Sequence, residues 1–172
     1  MSVEAGEVTE VPQVVAPTKP EKRVPVITDD DRENFFKAFI SDIPYVETLK
    51  LFDGKLKISF RTLNIDENDE VFRQINYDQA KGIAASDDSY YVKIVEYRLA
   101  GSITQINGED FCKDITPETH PHDAEKGTTY ILDRVKEIQK WNTFKLGAIT
   151  EAFNFFEAKV LALTEDSVKG NF

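Results

Sequence analysis

The stretch Tyr45 to Leu63, YVETLKLFDGKLKISFRTL, constrains the fold more than any other part of the chain. Two runs with a two-residue period flank Asp53-Gly54, a dipeptide that tolerates the left-handed backbone of a tight hairpin turn. On Lys55 to Leu63, the side chains of Leu56, Ile58 and Phe60 share one face, and those of Lys57, Ser59 and Arg61 share the other. That alternation predicts an antiparallel hairpin with one face buried. Nothing on the hairpin is catalytic, so it reads as scaffold.

Helical patterns surround it. Thr28-Asp29-Asp30-Asp31 places a capping hydroxyl and three acids where a helix start has unpaired N–H groups, and Phe35, Phe36, Phe39 and Ile40 follow as one apolar stripe that Pro44 ends. Asn64-Ile65-Asp66-Glu67 has the form of a capping box and opens a helix with Val71, Phe72 and Ile75 on one side, broken at Gly82. Its acids, Asp66 to Glu70, suit the helix dipole, because they lack the alternating oxygen ligands and glycine turn of a calcium loop.

Ser86 to Ile106 repeats apolar residues at steps of three and four, which predicts a third helix running to Ile106 and closed by Asn107-Gly108. The small residues Ala100, Gly101 and Ser102 predict close approach of another element there. A loop with short extended pieces is expected over 107 to 129. Two more helices are expected, Thr129 to Trp141 and Phe144 to Leu163. Their Asn142-Thr143 junction admits either an αα-hairpin or one nearly continuous bent helix.

The expectation is therefore an α+β fold: a small antiparallel β-hairpin or sheet packed against about five helices over residues 28 to 172, preceded by an arm over residues 1 to 27. A chain of 172 residues suits one ordinary domain plus a tail. The arm holds Pro12, Pro17, Pro20 and Pro25, which favour a disordered or extended backbone. Its Val11, Val14, Val15, Val24 and Val26 suit it to lie along a partner or add to a sheet edge, with a passive tail as the equal alternative.

Charge narrows the function. With 31 acidic against 21 basic residues and a net charge of −10, the chain lacks the clustered Lys and Arg of a free-standing nucleic-acid binder. No apolar run approaches the roughly 18 residues of a membrane span, and the first residues do not read as a secretory signal, so an intracellular, membrane-free protein is expected. Cys112 is the only cysteine, which rules out an intrachain disulfide and reads as a buried thiol. His120 and His122 could hold a metal only if Cys112, Glu118 and Asp123 converged on them, and they read instead as exposed turn residues. No nucleophile elbow, phosphate loop or metalloprotease motif is present, so no catalytic, cofactor-binding or metal residue is assigned and the chain reads as a non-enzyme. Phe153, Phe155 and Phe156 supply more apolar surface than one helix face needs, which makes them partner-contact candidates beside the arm valines, with core filling as the competing reading.

One resemblance adds a context. An opening helix ending in Pro-Tyr, then Leu-Phe-Asp-Gly-Lys-Leu-Lys-Ile-Ser-Phe-Arg-Thr-Leu at 51 to 63, the acidic helix start at 66 to 70, and Tyr97-Arg98-Leu99-Ala100-Gly101-Ser102-Ile103 followed by Ile106-Asn107-Gly108 resemble tail assembly chaperones and related baseplate-hub assembly proteins of long-tailed bacteriophages. The likeness spans Phe35 to Gly108, about half of the chain. It implies non-covalent binding of tape-measure, hub or other tail components in the host cytoplasm during assembly, with self-association also admitted. The alternative it leaves open is a permanent virion subunit, in the neck, tail, baseplate or minor capsid, whose arm threads over its neighbours.

Overall fold

Each helix opens on a side-chain cap that the sequence supplies. The computed structural model describes residues 25–123 and 129–170. Helix α1, Asp29–Ile40, starts on a capping box in which the Asp31 N–H donates to Thr28 Oγ1 and the Thr28 N–H donates to Asp31 Oδ2. Helix α2, Ile65–Ala80, repeats the arrangement with Asn64 and Glu67. Helix α3, Asp87–Ser102, does so with Ser86 and Ser89, and Thr129 and Asn142 cap α4, Tyr130–Ile138, and α5, Thr143–Val168. Each such cap contributes about 1 kcal/mol and fixes where its helix begins.

Strands β1, Val46–Leu51, and β2, Leu56–Arg61, form the expected hairpin, with Leu51 opposite Leu56 and Val46 opposite Arg61. Asp53-Gly54 lies inside a four-residue connection in which Phe52, Asp53 and Gly54 all have positive φ, of 52°, 55° and 83°.

The helix expected to run to Ile106 ends four residues earlier. Ile103–Ile106 is strand β3, paired antiparallel with β2, and Asn107-Gly108 turns it into the two-residue strand β4, Glu109–Asp110. Asn107 and Gly108 adopt φ of 53° and 84°, the left-handed pair that a two-residue hairpin needs. Asn107 also locks β3 to β2, because its N–H donates to the Lys57 carbonyl and its Oδ1 accepts from the Lys57 N–H. At the switch, the Arg134 guanidinium of α4 donates to the carbonyls of Ala100 and Ile103, so the end of α3 finds its partners outside the helix.

The result is an α+β fold of five helices and a four-stranded antiparallel sheet in the order β1-β2-β3-β4 among the described residues. The core lies between the Ile58 and Phe60 face of the sheet and the helices. Phe60 meets Phe153 and Phe156 of α5 with ring centroids 5.7 Å away in each case. Val71, Ile75, Leu99, Ile131, Val135 and Ile138 close the other side. A Cβ at Gly101 would come within 3.0 Å of Leu63 Cδ2, which accounts for the small residue there. Helix α4 packs on α3 and α2, whereas α5 lies across α1, α3, β1 and β2, so the helix break at 139–142 separates two helices whose packing overlaps at α3 and otherwise differs.

Candidate partner-binding surface

The aromatic cluster proposed on α5 is corrected by its burial. Phe153 and Phe156 are 0% and 2% exposed, because positions three apart on a helix share a face and this face meets Phe60. Phe155 is half-buried. Val11, Val14, Val15 and Val24 lie outside the described residues, while Val26 is exposed.

One run of apolar surface that does reach solvent is on α1 and the residues just after it. The inward phase of this helix is Asp31, Phe35 and Ala38, and only Ala38 is fully buried. Phe36, Phe39, Ile40 and the following Ile43 form the outward phase, and each is at least half exposed. The expected stripe is thus split: Phe35 turns to the core and the rest faces away.

A polar anchor decides that orientation. Lys159 of α5, whose side chain is 8% exposed, donates to Asp31 Oδ1 and Glu47 Oε1, both at 2.7 Å, and ties α1 and β1 to α5. Burial by itself would lower the Lys159 ammonium, but hydrogen bonds to the two carboxylates outweigh it and hold the pKa above 10.5. Asp31 is pulled the other way: burial opposes ionisation, yet the bonds from Lys159 and Thr28 keep its carboxyl below 3.8. Arg32 adds a 3.2 Å pair with Asp166. On the apolar side, Phe35 meets Tyr45 edge to face, and Tyr45 stacks on Phe156.

Beside α1 runs the outer edge of β1, with which no strand pairs among the described residues. The Thr62 N–H donates to the Tyr45 carbonyl at 2.9 Å, so position 45 faces β2. Antiparallel alternation then aims 47, 49 and 51 at β2 and turns the N–H and C=O of Val46, Thr48 and Lys50 outward. At the far end of the strand, Phe52 and Phe144 are both exposed, with ring centroids 6.0 Å apart. The opposite sheet edge is unlike it, being two residues long and acidic at both, Glu109 and Asp110.

No protein-family model, curated protein or solved structure matches the chain. The chemistry of the surface therefore rests on its own groups.

Two clefts lie elsewhere among the described residues. One of about 550 Å³ lies between α2, α3 and α5, lined by Arg61, Leu63, Ile65, Arg98, Phe156 and Leu161 among others. Both of its guanidinium groups are already paired, Arg61 with Glu67 and Arg98 with Glu157 at 2.7 Å. Burial raises the Glu157 carboxyl above its ordinary range and Arg98 opposes that rise. The second, of about 570 Å³, brings Glu109, Asp110, Asp114 and Glu137 around Phe111 and Trp141. Cys112 borders it with its thiol pushed up by burial. His122 Nδ1 lies 3.4 Å from Glu70 Oε1, His120 Nδ1 bonds Thr119, and no three His, Cys, Asp or Glu side chains group as metal ligands among the described residues. No helix among them is long and apolar enough to cross a membrane.

Proposed function

We propose that this chain is a non-enzymatic morphogenesis protein of a phage tail or baseplate, which binds tail components non-covalently in the host cytoplasm during assembly. The observation that carries the reading is the outward apolar phase of α1, with Phe39, Ile40 and Ile43 presented to solvent by a helix that a salt-bridged lysine holds in place. Such a stripe is the docking half of a helix-in-groove contact, suited to the apolar face of a partner helix that has not yet found its place in the particle. The net charge of −10 supports the role by keeping a complex with an aggregation-prone client in solution. The pattern from Phe35 to Gly108 supplies the phage context.

The test has two parts. Tail proteins expressed with this chain are captured on it, and the Phe39→Ser/Ile40→Ser variant loses that capture while keeping its melting temperature. Mass spectrometry of purified particles and of the matching lysate then finds the chain abundant in lysate and absent from particles. Capture that ignores the double substitution removes α1 from the contact, and fixed stoichiometry in particles makes the chain a virion subunit instead.

A further inference from the structure

We propose that the outer edge of β1 pairs with the same edge of a second copy of this chain, across a two-fold axis midway between the two Thr48 residues. This inference stands on the sheet and is independent of the phage reading.

An edge strand presents unpaired backbone donors and acceptors, and proteins that stay monomeric shorten, charge, bulge or cover such edges. The β4 edge is treated that way, with two residues, both acidic. Among the described residues the β1 edge is not: it runs six residues without proline or bulge, about 20 Å of strand, and its outward positions are Val46, Thr48 and one charge, Lys50.

The positions are self-complementary. An antiparallel partner centred on Thr48 sets Thr48 against Thr48, and Val46 of each copy against Lys50 of the other. All three outward-facing residues then exchange backbone hydrogen bonds, and no like charges lie directly opposite. The same operation carries the hairpin tip of one copy to the start of β1 in the other, so Phe52 and Phe144 arrive beside Pro44 and Ile43. The two clusters that flank the strand thereby meet each other's counterpart. They lie on one side of the sheet: Phe144 belongs to α5, which packs on the Phe60 face, and Lys159 ties α1 to Glu47 on that face. A two-fold axis normal to the sheet keeps both helical layers on that side. Exposed Ile43, Val46, Phe52 and Phe144 offer on the order of 1,000 Å² of apolar surface for the pair, which reaches the scale of a specific interface.

The experiment is light scattering behind size exclusion, run over a concentration series on the full chain, with amide hydrogen exchange read at Val46, Thr48 and Lys50. The expected result is a particle of twice the 19.6 kDa chain mass whose amides at these three positions exchange slowly. Thr48→Pro removes an outward N–H and leaves the β1–β2 backbone ladder in place, though it also removes the 2.7 Å Thr48 Oγ1–Ser59 Oγ bond, whereas Val46→Lys leaves that bond intact and sets two symmetric Lys–Lys pairs across the axis; each should weaken the dimer roughly tenfold or more with the circular dichroism unchanged. A dimer indifferent to both substitutions places the interface elsewhere and overturns the proposal. A monomer with fast-exchanging amides overturns it outright, and a monomer with protected amides gives the edge to another segment of the same chain, which overturns it as well.

Discussion

Lys159→Met tests what holds α1 in place. Met keeps most of the apolar stem and removes the ammonium, leaving Asp31 and Glu47 as two carboxylates with side chains 19% and 17% exposed and no cation between them. Breaking a buried charge pair by removing one partner costs about 3–5 kcal/mol, and the partial exposure of both carboxylates discounts this to about 2–3 kcal/mol at neutral pH. For a chain of this length that is a fall in melting temperature of about 5–10 °C. The pH profile separates this mechanism from simple packing loss. In the native protein the Asp31 pKa is depressed, so its contribution is present above 3.8 and lost as pH falls through the folded value. The Lys159 pKa is raised, so its contribution is present below 10.5 and lost only as pH rises through the folded value. In the variant the bond from Lys159 that helps hold the Asp31 carboxyl down is gone, so the folded Asp31 pKa rises and its protonation relieves the repulsion with Glu47. The stability gap should therefore be largest near pH 7 and shrink towards pH 4. Urea unfolding at both pH values measures it, and a loss under about 1 kcal/mol at pH 7, or one that does not change with pH, would refute the ion-anchor account.

Three further substitutions probe other joints. Phe153→Ala should cost about 3–5 kcal/mol in urea unfolding, because the ring is fully buried against Phe60 and Phe156, and a loss under about 1 kcal/mol would return it to the surface. Asn107→Ala removes the acceptor of the Lys57 N–H at a position with φ of 53°, and should cost about 1–3 kcal/mol with faster amide exchange at Lys57. Gly101→Ala should stay within about 1 kcal/mol of the native protein, since the helix gain of about 1 kcal/mol is offset by moving Leu63, whereas Gly101→Leu overfills the contact and should cost about 1–3 kcal/mol.

The elements legible in the sequence were those decided by neighbours in the chain. The Thr28, Asn64 and Ser86 caps act over three residues, and the β1–β2 alternation acts over two, so both read directly. The end of α3 was not legible, because Ile103 and Ile106 fall where a helix of the same phase would also place apolar residues. What turns them into a strand is the free edge of β2, together with Arg134, which lies more than thirty positions further along and takes up the Ala100 and Ile103 carbonyls. The one local signal for it was Asn107-Gly108, which marks a hairpin more strongly than it marks a helix end.

The candidate surface follows the same logic in the opposite sense. Phe35, Phe36, Phe39 and Ile40 cover two phases of α1, and periodicity alone cannot say which phase turns inward. Lys159 decides it from 128 positions away, where a lone lysine in an apolar helix reads as a solvated charge. Because the inward phase is fixed by an ion pair and the Phe35 and Tyr45 contact, Phe39 and Ile40 are not needed to hold the helix down. Their exposure therefore costs the fold little, and under the proposed function these are the side chains a partner helix would meet.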